Sequence, residues 1–381
     1  MDFDLNDDQR MLKDSVDRLV ADKYGFESRK TYLAEPDGWS RGIWAQLAEL
    51  GLLGLPFAEE YGGYGGGSVE TMLVMEAFGR GLVLEPYFAT VILGGGMIRS
   101  MGSTAQKTAI LPAIAEGKRL LAFAHVERHS RYDLADVTTT ATRDGSGWRI
   151  NGAKSVVLHG DSADQILVSA RVSGAQRDRS GIGLFLVDAK AAGVTRRGYP
   201  TQDGLRGSEI NFANVTAEAV GEPESALPGM EHAVDRGIAA LCSEAVGILA
   251  SMQEITLEYL KTRKQFGRAI GEFQVLQHRA VDMLVGVEQS RSMALFATVM
   301  ADETNPAERQ RAISAAKVQI GRAGRQLGQE AVQMHGGIAM TMEYKVGHYF
   351  KRMTMIDKLY GDADHHLTRL AKLGGLFGRA A

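Results

Sequence analysis

The sequence predicts an α+β multidomain chain: a helical N-terminal domain, a middle domain of β-barrel or sandwich type, and a C-terminal four-helix bundle. Three observations carry that reading. Apolar residues recur at helical spacing up to about Lys118. Between about residues 119 and 222 the period shortens to that of strands, and from about 230 long helical repeats return. The length, 381 residues, is more than one compact core usually serves.

From Asn6 to Val20, Leu12, Val16, Leu19 and Val20 share a helical face behind acidic residues suited to a helix start. A second pattern carries Trp44, Leu47 and Leu50 and stops at Gly51, and a third carries Val69, Met72, Leu73 and Glu76. The glycine-rich run Glu60 to Gly67 between them reads as a flexible turn. Four short β-prone runs follow, at 148–150, 155–158, 165–168 and 183–187, separated by Gly, Asn and Asp turn residues. The breaker-rich segment Gly221 to Gly229 ends that domain, so the expected domains are 1–118, 119–225 and 226–381. Beyond it Ile238, Leu241, Ala245, Ile248, Met252 and Ile255 line one long helix, and Leu276, Ala280, Met283 and Val287 line another. Asn305-Pro306, an N-cap followed by proline at the first helical position, starts a third helix with Ile313, Ala316, Ile320, Leu327 and Met334 inward. Helices of this kind make a bundle.

A composition of 45% hydrophobic and 23% charged residues is that of a globular chain. The formal net charge of -3 leaves no basic excess to neutralise a phosphate backbone, which excludes nucleic acid as the expected partner. The single cysteine, Cys242, forms no intramolecular disulfide and sits in an apolar run where a small buried hydrophobe is the common occupant. The first residues lack the basic-then-apolar build of a signal peptide, and no stretch reads as the roughly 20 apolar residues of a membrane span. A cytoplasmic protein is expected.

Glycine is abundant, 45 residues, yet neither Gly62 to Gly67 nor Gly94 to Gly96 fits G-x-G-x-x-G, and neither leads from a strand into a helix. A Rossmann dehydrogenase is thereby disfavoured. The glycine runs read as mobile connections and close backbone packing. His365-His366 invites a metal reading beside Asp362 and Asp364, but adjacent helical residues point roughly 100° apart and do not ligate from one face.

Four segments carry a resemblance. They are Trp44 to Gly67 with its run Leu50-Gly-Leu-Leu-Gly-Leu-Pro-Phe-Ala-Glu-Glu-Tyr-Gly-Gly63, Asn151-Gly-Ala-Lys154, Arg263-Lys-Gln-Phe-Gly-Arg-Ala-Ile-Gly-Glu-Phe-Gln274 and Gln333-Met-His-Gly-Gly337. Together, and in an α, β, α order, they resemble the acyl-CoA dehydrogenases over essentially the whole chain. A diphosphate needs a fixed cation and backbone N–H donors; Arg263 ahead of a Phe-Gly turn supplies the first, and Gly336-Gly337 lets backbone approach closely. Phe266 suits packing on an adenine or ribose, and Gln265, Gln274 and Gln333 suit a polar cofactor edge. Taken singly, these residues read equally as a solvated helix turn.

The resemblance implies an FAD shared across a subunit interface: its flavin ring rests on the β-domain of one protomer and its ADP half is clamped by the other protomer's bundle. Arg263, Gln265, Phe266, Gln274, Gln333, Gly336 and Gly337 would form that clamp. It also implies an acyl-CoA thioester as substrate and an electron-accepting flavoprotein as partner. Two features depart from the family. Its base is a Glu in a Tyr-Glu-Gly-Thr motif, where this chain has Tyr360-Gly361-Asp362-Ala363; the alternative base position, on the first bundle helix, aligns with Gly237. Asp362 is the nearest substitute, although it also reads as a helix cap, and Glu244, in an apolar helix, reads as the member of a structural pair. At the flavin edge the family's two hydroxyl positions are Val126 and Leu158. A clamp kept while the base and flavin edge are lost resembles the small subunits of paired dehydrogenases acting on pimeloyl-type dicarboxylyl, branched or sterol-side-chain thioesters, joined to a large subunit in a heterotetramer. The rivals are a homo-oligomeric dehydrogenase using Asp362, a flavin oxidase or monooxygenase of the same fold, and a scaffold without activity.

Overall fold

A computed structural model describes residues 4–374. Along the chain run α1 (Asp7–Lys23), α2 (Phe26–Leu33), α3 (Arg41–Glu49), α4 (Ser68–Gly81), a π-helical segment Phe88–Gly95, α5 (Gly96–Met101) and α6 (Thr104–Ala115). Strands β1 (Leu121–Ala124), β2 (Thr140–Asp144), β3 (Gly147–Leu158), β4 (Gln165–Arg171), β5 (Ile182–Asp188), β6 (Val194–Pro200) and β7 (Arg206–Val220) follow. Then come α7 (Leu227–Thr262), the short strands β8 (Lys264–Gln265) and β9 (Arg268–Ala269), α8 (Gln274–Met300), α9 (Pro306–His335), α10 (Lys345–Lys358) and α11 (Ala363–Lys372). Among the described residues, 32–67 and 84–237 form one compact unit, and 4–31, 68–83 and 238–374 form the other.

The first unit centres on the β-domain. β4 pairs with β2, β2 with β3, β3 with β7, β7 with β5 and β5 with β4, so five strands close into a barrel; β1 lies parallel on β4, and β6 antiparallel on β7. Closure removes the open edges that a flat sheet exposes. Its core is Ile150, Val157, Ile166, Val168, Phe185, Val187, Ile210, Phe212 and Val215. The sequence reading of Asn151-Gly152 as a turn between two strands is corrected: 148–150 and 155–158 belong to one strand, β3, whose register against β7 shifts at Ile150/Gly152 and again at Lys154/Val157. Irregularities of this kind absorb an extra residue without reversing the chain, which is why turn residues appear inside a strand.

Lys154, in β3, is fully buried and donates to Glu127 Oε1 at 2.8 Å and to Ser169 Oγ at 3.1 Å. Glu127 also accepts from the backbone N–H groups of Thr138 and Thr139, each at 3.0 Å. Burial alone would raise the Glu127 carboxyl, but Lys154 and these donors outweigh it and hold the group down at about 2. Burial in turn pushes the Lys154 ammonium down to about 8 against the attraction of Glu127.

In the second unit α9 packs against α8, α10 and α11. Asn305 accepts from the Ala307 N–H at 3.0 Å and Pro306 takes the first helical position, as the sequence predicts. α4 and α7 meet at two glycines. A Cβ on Gly79 would lie 2.0 Å from the Glu244 carbonyl oxygen and one on Gly247 1.9 Å from that of Glu76, so only glycine permits this approach. Glu244 forms a bidentate pair with Arg352, Nε to Oε1 at 2.6 Å and Nη2 to Oε2 at 2.8 Å, both side chains buried. Leu50, expected inward, caps α3 instead and is exposed. Among the described residues α7 is long and apolar enough to cross a membrane by length and composition, contrary to the sequence reading; 89% of its apolar window is buried inside the protein.

Candidate functional site

α7 gives way to a tight β8–β9 hairpin whose turn residues, Phe266 (φ 53°) and Gly267 (φ 81°), are both left-handed, the conformation a two-residue hairpin demands. The turn thrusts Phe266 outward, 89% exposed. Behind it Phe273 meets Phe266 edge-on at 6.1 Å and receives the Arg268 guanidinium at 4.2 Å. Arg263 and Gln265 are exposed beside the turn, and the Gln265 amide donates to the Lys264 carbonyl at 2.8 Å. Among the described residues the Arg263 side chain makes no hydrogen bond or ion pair.

Two contacts bring the remaining residues expected to form the clamp to the same end of the bundle. Tyr259, near the end of α7, lies against His335 at the end of α9 with ring centroids 4.5 Å apart. Arg279 in the second turn of α8 pairs with Glu330 near the end of α9 at 3.2 Å. Gln274 at the start of α8 and Gln333, Gly336 and Gly337 at the end of α9 are therefore at one end, all exposed. Gly336 adopts φ 67°, and nothing lies within 4 Å of where a Cβ would be on it or on Gly337, so the backbone is open to an incoming group. Val275, Val281, Leu284 and Val285 along α8, with Ile338, Met340 and Met342 after α9, are exposed large apolar side chains of the same region.

The turn that resembles the family's base motif is built differently. α10 ends on carbonyls gathered by Lys317 of α9, whose buried ammonium donates to Ile356, to Asp357 at 3.3 Å and to Leu359 at 3.0 Å. Burial pushes that ammonium down to about 8. His366 bridges Ser314 Oγ and the Tyr360 carbonyl, each at 3.1 Å; the carbonyl requires a protonated Nε2, leaving Nδ1 to accept from the serine. Burial, then the Lys317 charge, pushes the imidazole down to about 3, so it stays neutral. Gly361 between them has φ 115°, and a Cβ there would lie 2.6 Å from both His365 Cδ2 and His366 Nε2. Asp362 accepts from the His365 N–H at 2.9 Å as the N-cap of α11 and from Lys358 at 3.2 Å. At Gly237, in α7, a Cβ would meet Leu93 Cδ2 at 2.9 Å and the Phe88 ring at 3.5 Å.

On the β-domain, the β3 bulge places Val156 in the left-handed region (φ 52°), 40% exposed. Its N–H donates to Glu209 at 3.4 Å, and the same carboxylate accepts from Ser155 Oγ at 2.9 Å and Tyr199 Oη at 3.1 Å. Val126 holds the bulge through its carbonyl, which accepts from the Ser155 N–H at 2.8 Å. At Val126 and Leu158, to either side of this bulge, the side chains carry no hydroxyl. A cavity of about 610 Å³ opens beside the bulge, lined among others by Glu127, Arg128, His129, Ser155, Arg197 and Glu209.

Sequence reasoning missed Lys317, His366 and Glu209 as architects of these turns. The signal available was weak: a lysine, a histidine and a glutamate are ordinarily surface residues.

Comparison with known proteins follows the same lines. Family models match the chain along its length: "Acyl-CoA dehydrogenase, N-terminal domain" over residues 6–118, the middle domain over 122–217 and the C-terminal domain over 230–373. Acyl-CoA dehydrogenase FadE12 of Mycobacterium tuberculosis is 32% identical across 90% of this chain and 89% of its own. Among solved structures, a variant of the Tcur3481-Tcur3483 steroid ACAD superposes with a TM-score of 0.87 at 28% identity, covering 96% of this chain and 97% of that one. The FAD complex of PigA superposes with a TM-score of 0.89 at 25% identity, covering 99% of this chain and 100% of that one.

Proposed function

This chain belongs to the acyl-CoA dehydrogenase family of flavoprotein oxidoreductases, and from that premise we propose that it is the small subunit of a paired, FAD-dependent enzyme. It contributes an ADP clamp to an FAD seated on a homologous, glutamate-bearing large subunit that desaturates an acyl-CoA thioester. The observation that carries this reading is Gly361. Its backbone conformation and the two imidazoles against it leave no room for the carboxylate that removes the α-proton. Asp362, the nearest acid, is engaged with the α11 N-terminus and Lys358. Glu244 is engaged with Arg352.

The residues fit one half of the cofactor and not the other. At the bundle end, a guanidinium without a partner among the described residues, three exposed amides and the open Gly336-Gly337 backbone match the diphosphate and sugar of an ADP moiety. On the β-domain the two positions beside the bulge are aliphatic, and the Val156 N–H is already spent on Glu209, so polar flavin atoms lack partners. When bound, FAD accepts the β-hydride of the thioester. Arg263 neutralises the diphosphate, Gln265, Gln274 and Gln333 orient the sugar and base edge, and Phe266 covers the adenosine. The exposed apolar stripe of α8 suits burial against the related chain, since contiguous apolar surface of this kind marks an interface. The apolar surface of α7 is consumed by packing rather than left for lipid, which supports a helix of the protein core over a membrane span, and the cytoplasmic placement stays a proposal that rests on the single cysteine and the reading of the first residues.

Arg263→Ala is expected to lower FAD retention by the complex roughly 10- to 150-fold, the loss of a charge-assisted contact worth about 1.5–3 kcal/mol. Flavin absorbance per complex after extensive dialysis checks it, and unchanged content would remove Arg263 from the clamp.

A further inference from the structure

His335 is the last residue of α9 and stands where three parts of the second unit meet. Its ring lies against Tyr259 of α7, centroids 4.5 Å apart and planes tilted by 32°, and against Tyr344, which precedes α10, at 5.1 Å and 51°. The two phenol rings meet edge-on at 6.4 Å, so the imidazole fills one corner of a three-ring cluster. Two corners of that cluster are tied to the proposed clamp. The Tyr259 carbonyl accepts from the Arg263 N–H at 2.8 Å, which fixes the start of the β8–β9 hairpin one helical turn beyond the ring. Gly336 follows His335 directly, and its N–H donates back to the Val332 and Gln333 carbonyls. The third corner closes the return to α10: a Cβ on Gly347 would lie 2.6 Å from the Ala339 carbonyl oxygen, and the Met342 carbonyl accepts from His348 Nε2 at 3.1 Å.

The imidazole carries a polar atom that this packing does not need. His335 is 4% exposed. Its Nδ1 lies 2.8 Å from the Ala331 carbonyl, an acceptor, so that nitrogen bears the proton and Nε2 is a bare acceptor. Nε2 is buried and has no hydrogen-bond partner among the described residues. Phenylalanine would fill the same corner without stranding an acceptor, so packing alone does not account for histidine here. The groups facing the ring are the Tyr259 phenol and Ile255 carbonyl of α7, the Ala331 carbonyl of its own helix and the Tyr344 phenol, which burial raises. Burial holds the imidazole below its ordinary 6.5, against the two carbonyls, and among the described residues no charged side chain contributes.

We propose that His335 is the positioning residue of the clamp: its uncharged ring, seated between Tyr259 and Tyr344, sets Arg263 against the Gly336-Gly337 backbone, and protonating it opens the clamp. A proton on Nε2 is opposed by burial while the cluster is closed and is solvated once the cluster opens, so acid favours opening. The clamp is therefore closed above about pH 6.5 and loosens as pH falls below it. The inference rests on the clamp reading and goes beyond it.

The test is the rate of FAD release from the complex with the large subunit, followed by flavin fluorescence after dilution between about pH 7 and about pH 5. The FAD diphosphate keeps its charge across this range, so the cofactor supplies no such slope. One proton changes an equilibrium by at most about tenfold per pH unit, and release from the wild-type complex is expected to rise about threefold or more. In His335→Phe, which keeps a ring and removes both nitrogens, that rise is expected to vanish. His335→Gln, uncharged at every pH, serves as the second variant should His335→Phe fail to fold or assemble, with the same expected loss. A flat wild-type profile overturns the proposal, as does a variant that keeps the wild-type rise. If the isolated chain carries flavin by itself, the small-subunit reading fails, and the same comparison is made on that oligomer. Failure of the clamp reading is a separate signal, flavin content unchanged in Arg263→Ala at constant pH.

Discussion

Lys154→Met is expected to destabilise the protein by about 3–5 kcal/mol, the cost of stripping the partner from a buried charge. Glu127 would remain 4% exposed with N–H and hydroxyl donors, and the His129 ring 3.8 Å away, to balance it. Because the penalty belongs to the stranded carboxylate, the double variant Glu127→Gln/Lys154→Met is expected to recover most of the loss, as paired removal of buried ions often does. Acid separates the two. The Glu127 carboxyl is held below its unfolded value, so the stability it contributes is present above about pH 4.5 and is lost as pH falls toward about 2. Lys154, depressed by burial, acts in the opposite sense: its penalty applies below about pH 8 and is relieved as pH rises toward its unfolded value. Urea midpoints measured from pH 2 to 9 check both. A single variant as stable as the wild type would contradict the pair's structural role, and a double variant with the wild-type acid slope would contradict the assignment to Glu127.

Gly361→Glu, which returns a carboxylate to the family's base position, is expected to destabilise by about 2–6 kcal/mol and to confer no dehydrogenation. The figure combines a side chain in a backbone region reserved for glycine, about 1–3 kcal/mol, with overpacking against two imidazoles, about 1–3 kcal/mol. Since the obstruction begins at Cβ, Gly361→Ala is expected to lose a substantial part of the same amount. His366 cannot retreat without releasing the Tyr360 carbonyl and Ser314. Unfolding midpoints read the stability and thioester-dependent flavin bleaching reads the chemistry. A Gly361→Glu chain as stable as the wild type, or one that bleaches flavin, would mean that this turn had lost its base by substitution alone and not by rebuilding.

Most of the architecture was legible because it rests on periodicity. The helical faces of α7, α8 and α9 and the Asn305-Pro306 start are written as repeats and caps, and the α, β, α order follows from the change of period. β7 was less visible: many of its residues, among them Ser208, Asn211, Asn214 and Glu218, are not of the β-branched and aromatic types by which strands are recognised. β3 was read as two strands because Asn151-Gly152 is turn chemistry, and only pairing with β7 reveals it as an irregularity within one. The π-helical segment was invisible for a physical reason. Phe88 to Leu93 is apolar at every position but Thr90, so no period distinguishes one helical winding from another. At the candidate site the exposed residues of the proposed clamp were readable as a motif. So were Asp362 as a helix cap and Glu244 as the member of a structural pair, whereas the identity of the Glu244 partner, Arg352, and the engagement of Glu209 with the Ser155 and Tyr199 hydroxyls were not, because the fold brings those groups together.

The most direct test of the small-subunit account is to purify the chain alone and co-expressed with a homologous glutamate-bearing subunit, then mix each anaerobically with an acyl-CoA. The account predicts that the isolated chain carries little FAD and shows no thioester-dependent bleaching, and that the complex is yellow and bleaches. An isolated chain that is yellow, bleaches with an acyl-CoA and loses that activity on Asp362→Asn would contradict it.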